Sequence, residues 1–137
     1  DTGFIGYAEE LGATFVVDEH CTGTRYFLHP PSDDPDPMRA LARRYVGKPR
    51  CPSRDWDDRT RPDHVVGLAK EYGVQGALLV QQKFCDPHEM DTPALKAALE
   101  KAGVPTLLLE FDVTIPFGQF RTRIEAFLEM IRAEALF

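Results

Sequence analysis

The segment Gln82-Lys83-Phe84-Cys85-Asp86-Pro87-His88 places a thiol, and an imidazole three residues later, just past a hydrophobic run at residues 76–80. An apolar run of that length, bounded by glycine and by a proline-containing turn, reads as a strand buried on both faces. Thiolates are nucleophiles and soft metal ligands, and the ligands of open α/β sheets gather beyond the carboxyl ends of the strands. Cys85 is therefore a candidate functional thiol. The plainer alternative is a free cysteine acting as a small buried hydrophobe. Asp18-Glu19-His20-Cys21 and Glu110-Phe111-Asp112 also follow apolar runs, so a parallel sheet would carry all three segments to one edge.

Several chemistries draw on such residue types. A Cys-His hydrolase needs the imidazole within hydrogen-bond reach of the thiol, a third group to orient it and an oxyanion hole, none of which sequence fixes. A zinc site from Cys85, His88 and Cys21 is admissible by ligand chemistry, but the spacing matches no familiar zinc pattern. Glu110 and Asp112 are either general acid-base groups or caps of the following turn. His20 and His88 read as satisfied structural residues, and Trp56 as a local packing anchor. Neither G-x-x-x-x-G-K-[ST] nor G-x-G-x-x-G is present, which leaves phosphate cradling by those loops without support.

The elements that would position these groups follow from periodicity. Phe4, Ile5, Ala8 and Leu11 share one helical face, with Gly12 suited to the left-handed residue past the helix end, and residues 13–17 then read as a strand. Residues 28–61 hold Pro30, Pro31, Pro35, Pro37, Pro49 and Pro52 and read as a loop around one helix, N-capped by Asp36 with Pro37 at its first position. That loop carries Arg39, Arg43, Arg44, Lys48, Arg50, Arg54, Arg59 and Arg61, half of the 16 basic residues. They form either a solvated surface offset by Asp55, Asp57 and Asp58 or a docking face for an anion or partner. Pro62 opens a helix that Gly73 closes, Thr92-Pro93 opens another that Gly103 closes, a strand spans residues 105–110, and a last helix spans about 119–135. Alternation of this kind predicts an α/β domain with a three-layer parallel sheet, helices on both faces, Rossmann/flavodoxin-like. The chain opens on a helix start without methionine, so a first strand is expected to be missing ahead of Asp1.

A length of 137 residues fits one domain, spanning residues 1–137. The net charge of −6 argues against a general nucleic-acid binder, and no apolar stretch reaches a membrane span, so a cytoplasmic protein is expected. Cys21, Cys51 and Cys85 are odd in number and far apart, unlike a disulfide framework or a C-x-x-C clip.

Taken together, Gly3-Phe4-Ile5 with Gly12-Ala13, Asp18-Glu19-His20-Cys21-Thr22-Gly23-Thr24-Arg25-Tyr26-Phe27, the Cys85 segment, Leu109-Glu110-Phe111-Asp112-Val113-Thr114 and Gly118-Gln119-Phe120-Arg121-Thr122-Arg123-Ile124-Glu125-Ala126-Phe127 carry a family likeness. The chain resembles the carboxyl-terminal domain of the iron-sulfur subunits of benzoyl-CoA reductases and 2-hydroxyacyl-CoA dehydratases. Lys-Phe-Cys-Asp-Pro paired with Gly-Gln-x-Arg-Thr-Arg is the most specific part.

The resemblance implies that Cys85 is one of three cysteine ligands of a [4Fe-4S] cluster, the other two lying in an amino-terminal part that this chain lacks. Cys21 and Cys51 fall at positions not associated with ligands. It also implies a second homologous subunit, an ATP-driven activator protein that delivers low-potential electrons, and ketyl radical chemistry on an acyl-CoA. One thiolate cannot hold a cubane cluster, so this chain alone is expected to carry none and to be inactive. Arg121, Thr122 and Arg123, expected in the first turn of the last helix, are candidates to bind cluster-side carboxylates or an anionic part of the acyl-CoA. The alternative function, from a different class, is a non-catalytic flavodoxin-like docking module using the basic loop.

Overall fold

The computed structural model describes residues 2–55, 58–113 and 116–134. Its elements are α1 (Thr2–Glu10), α2 (Thr24–Phe27), α3 (Pro37–Gly47), a 3-10 turn (Pro52–Arg54), α4 (Arg61–Glu71), β1 (Ala77–Gln82), α5 (Asp86–Lys101), β2 (Thr106–Phe111) and α6 (Phe117–Glu134). Local chemistry accounts for most boundaries. Asp36 accepts from the Met38 and Arg39 N–H groups at the start of α3, where Pro37 has no N–H to satisfy. Gly12, Gly73 and Gly103 follow α1, α4 and α5 at φ 98°, 61° and 79°, a region that costs other residues the clash of Cβ with backbone.

β1 and β2 pair in parallel, Ala77 with Thr106 through Gln82 with Phe111. Side chains alternate between the two faces, and the core divides accordingly. Leu78, Val80, Leu107, Leu109 and Phe111 pack with Phe4 and Ala8 of α1 and with Phe120 and Ile124 of α6. Ala77, Leu79 and Leu108 pack instead with Ala69 of α4 and with Leu95 and Leu99 of α5. Helices thus contribute core to each face of an α/β sheet. Phe111 fastens the end of β2, meeting Phe4 edge-on at 4.8 Å and stacking on Phe120 at 5.2 Å.

Two sequence expectations need correction. Residues 13–17 are not a strand: among the described residues the sheet has two strands. Ala13 and Phe15 still reach the α1–α6 core cluster, while the Phe15 N–H goes to Glu9 Oε1 at 3.3 Å and not to a strand carbonyl. Apolar alternation reports burial of one side, and a packed irregular segment satisfies it as well as a paired strand does. The second correction concerns α5, which begins at Asp86, six residues before the expected Thr92-Pro93 start. Pro87 lies in its first turn, where a proline removes no helical bond, and Pro93 is accommodated further along. The expected packing role of Trp56 lies outside the described residues.

Candidate functional site at the carboxyl end of the sheet

Cys85 sits between the end of β1 and the start of α5, as the residue preceding that helix. Its backbone N–H donates to Gln82 O at 3.1 Å, closing a tight turn, and its carbonyl accepts from His88 and Glu89 N–H at 2.9 and 3.0 Å. The side chain makes no capping bond, and the thiol is free and exposed. It is therefore presented at the carboxyl edge and is not the buried hydrophobe of the plainer reading. Lys83 ties this turn to the neighbouring strand end, with its N–H on Phe111 O at 2.8 Å and Nζ on Asp112 Oδ2 at 3.0 Å. Asp112 also accepts from the Val113 N–H at 2.7 Å, and Glu110 lies 4.0 Å from Lys83 Nζ. Asp112 thus caps the turn and pairs with Lys83, and Glu110 sits at the outer limit of an ion pair with the same lysine.

The three cysteines are not gathered into one site. Cys21 lies 3.5 Å from Arg25 Nη1, and Cys51 precedes the 3-10 turn. The Cys51 thiol is held below its ordinary range: burial opposes this, and hydrogen bonding by Ser53 with the positive charge of Arg25 and Arg61 outweighs it. Among the described residues no group of three or more His, Cys, Asp or Glu is arranged to hold a metal, the combination of Cys85, His88 and Cys21 included.

Arg121, Thr122 and Arg123 are displaced from their expected place. Helix α6 starts at Phe117, so these residues occupy its second turn and their N–H groups are not the free ones of a helix terminus. Arg121 Nε pairs with Glu125 at 2.9 Å. Arg123 Nη2 donates to Leu108 O at 2.7 Å. The bonds from Ala77 N–H to Pro105 O and from Lys83 N–H to Phe111 O show that odd-numbered carbonyls of β2 face β1. Leu108 O therefore faces the open edge of the sheet, and Arg123 covers it. Arg121 is thus paired within its own helix, and Arg123 ties that helix to the sheet.

The largest feature missing from the sequence reading is a buried charge network behind Cys85. Glu19 pairs with both Arg25 and Arg61, the latter at 2.7 Å, and Arg61 pairs in turn with Asp91 on α5. Arg61 is only 3% exposed, which corrects its assignment to a solvated or docking surface. Arg61 Nη2 also lies 3.5 Å from His88 Nε2, in the first turn of α5. Asp55, likewise buried, accepts from Thr60 N–H, Thr60 Oγ1 and Arg61 N–H at 3.0, 2.8 and 2.8 Å. In the same loop Arg43 pairs with Asp34 at 2.8 Å, and Arg44 donates to the carbonyls of Tyr26 and His29. Much of the basic loop is thus committed internally. The network fastens residues 88–91, and with them the start of α5 and the Cys85 turn, to the Glu19 segment and the 55–61 loop. The sequence signal for it was Glu19 at a predicted strand end with Arg25 six residues on, since Arg61 and Asp91 lie 42 and 72 residues further along from Glu19.

The electrostatics are consistent with that arrangement. Burial alone would raise Glu19, but the hydrogen bond from Arg25 and the charges of Arg61 and Arg25 hold its carboxyl below the ordinary range. His88 and His64 are both pushed down, chiefly by burial, with the positive charge of Arg61 adding to it.

A family model described as 2-hydroxyglutaryl-CoA dehydratase, D-component, matches residues 1–131. The chain is 32% identical over 95% of its length to the (R)-phenyllactyl-CoA dehydratase beta subunit of Clostridium sporogenes, of which it covers 37%. It is 42% identical over 53% of its length to the (R)-2-hydroxyglutaryl-CoA dehydratase subunit beta of Acidaminococcus fermentans, of which it covers 19%. Against the lactoyl-CoA dehydratase subunit beta of Anaerotignum propionicum it is 27% identical over 69% of its length, covering 26% of that protein. The chain therefore spans roughly a third or less of these relatives.

Proposed function

The chain belongs to the 2-hydroxyglutaryl-CoA dehydratase D-component family, and from that premise we propose that it is the carboxyl-terminal α/β part of an iron-sulfur subunit of a 2-hydroxyacyl-CoA dehydratase. Within it Cys85 supplies one of three cysteine ligands to a [4Fe-4S] cluster. The observation that carries this reading is the exposed, unpartnered Cys85 thiol, presented at the carboxyl edge of the sheet by a turn anchored on both sides. That donor fits a shared cluster, because thiolate is the ligand such clusters take and a single one requires companions from elsewhere. Cys21 and Cys51, both beside Arg25, are read as non-ligands, in keeping with their positions outside the family's ligand pattern. When bound, the cluster would supply single electrons at low potential to the acyl-CoA thioester. The protein's part is to hold Cys85 at a fixed place through the Lys83–Asp112 tie in front and the Arg61–Asp91 pair behind.

Dehydration is favoured over aromatic-ring reduction, because the relatives reported above are named as dehydratases. Their designation as beta subunits supports a second, homologous subunit as partner. An ATP-dependent activator and a cytoplasmic setting complete the reading. No described helix is long and apolar enough to cross a membrane. In the intact subunit the two-stranded sheet is taken to extend into a wider Rossmann/flavodoxin-like one. The chain by itself is proposed to carry no cluster and to be inactive.

The test is iron and sulfide analysis of the anaerobically reconstituted parent subunit. Cys85→Ser lowers cluster content and abolishes electron transfer to the acyl-CoA, whereas Cys51→Ser leaves both largely intact. Equal losses in the two variants would overturn the assignment.

A further inference from the structure

Phe84 lies beside Cys85 in a conformation that its own side chain opposes. Its φ is 66°, in the left-handed region where Cβ clashes with backbone and glycine is the ordinary solution. The Cys85 N–H bond to Gln82 O makes residues 82–85 a β-turn, and φ is positive at its third position but not at Lys83, the pattern that calls for glycine or asparagine there. Where the chain reverses after α1, α4 and α5 in the same region of φ, it carries Gly12, Gly73 and Gly103. At this turn it carries phenylalanine. Nor does packing offset the strain, because Phe84 is 89% exposed. Strain of this kind persists where surrounding structure or function requires it, and here the turn is fixed by Lys83 on both Phe111 and Asp112.

A second exposed apolar residue stands at the neighbouring strand end. Gln82 pairs with Phe111, and two residues past each of them come Phe84 and Val113, the latter 94% exposed. The edge that presents the Cys85 thiol therefore offers two large apolar groups to whatever binds there. We propose that Phe84 is a positioning residue for that site: its ring, held outward by the left-handed turn, keeps water from the iron-sulfur cluster bound at Cys85. This rests on the reading of Cys85 as a ligand. The physical requirement is that the potential and lability of such a cluster depend on its exposure to solvent. An apolar neighbour fixed in the ligand's own turn controls that exposure without itself being a ligand.

The test uses the anaerobically reconstituted parent subunit with Phe84→Gly and Phe84→Asn, both of which suit the observed φ, and Phe84→Leu, which keeps an apolar side chain. Iron release to a chelator and the cluster midpoint potential are read alongside the thermal midpoint. Glycine and asparagine are expected to speed iron release several-fold and move the potential to more positive values without lowering the thermal midpoint. Leucine is expected to stay near wild type in release. Wild-type release and potential in the glycine and asparagine variants would overturn the inference. Cys85→Ser separates the two levels: a cluster that depends on Cys85 but is indifferent to Phe84 defeats this inference alone, and one retained in full without Cys85 defeats the ligand reading as well.

Discussion

Glu19 is the residue on which the buried network turns, because its carboxylate is the shared partner of Arg25 and Arg61. Both guanidiniums are buried, so Glu19→Ala leaves one of them without a carboxylate and the other with Asp91 alone. Breaking a buried ion pair from one side costs about 3–5 kcal/mol, since the remaining charge stays desolvated. A domain of this size holds on the order of 5–15 kcal/mol in total, so the substitution removes a large share. At about 3 °C per kcal/mol for a chain of this length, the thermal midpoint should fall by roughly 10 °C. Glu19→Gln keeps an acceptor but not the charge and should fall between the two.

Acid provides an independent check, because the native carboxyl is depressed from its ordinary 4.5. A depressed carboxyl contributes stability that is present above the unfolded value and is lost as pH falls through the folded one. Wild type should therefore weaken below about pH 4.5 more steeply than Glu19→Gln. Urea denaturation followed by circular dichroism at several pH values measures both effects. A Glu19→Ala loss under about 1 kcal/mol, the range of an exposed ion pair, would refute the idea that this network holds the start of α5.

Three further expectations come from the same geometry. His88 and His64 should each titrate below the ordinary 6.5 in a proton NMR pH series, so the stability they contribute is present above 6.5 and declines as pH falls through their lower folded values. A midpoint at or above 6.5 for His88 would contradict its burial beside Arg61. Arg123→Gln should cost about 0.5–1.5 kcal/mol in urea denaturation through loss of its bond to Leu108 O, while Arg121→Gln should leave stability nearly unchanged, as expected for a fully exposed helix pair. Weaker acyl-CoA affinity in the parent at unchanged stability, for either arginine, would support a substrate-binding role for residues 121–123. For this chain alone, Phe84→Gly should raise the thermal midpoint, since an L-residue in the left-handed region costs about 1–2 kcal/mol. A lower midpoint would mean that the ring has a packing partner.

The sequence by itself determined what depends on near neighbours. Helical spacing and end signals located α1, α3, α4 and α6 to within a few residues, because Asp36, Pro37, Pro62 and the glycines at 12, 73 and 103 act through bonds and torsions of their own turn. The β1 and β2 runs and the place of Cys85 just beyond one of them were legible for the same reason. Recognition of the family rested on motifs around these local features. Pairing and charge burial were decided elsewhere. Residues 13–17 have the alternation of a strand, yet whether they join a ladder depends on a neighbour's open edge, and Arg123 covers one carbonyl of the β2 edge. Arg61 belongs to a loop dense in charge, and nothing local distinguishes it from Arg54 or Arg59. Only the chain's return brings Glu19 and Asp91 against it, and once water is excluded the low dielectric turns an unremarkable arginine into the centre of a network. Phe84 shows the same division: its identity was plain in the sequence, but the left-handed turn and the exposure of its ring exist only once the strand ends are fixed side by side.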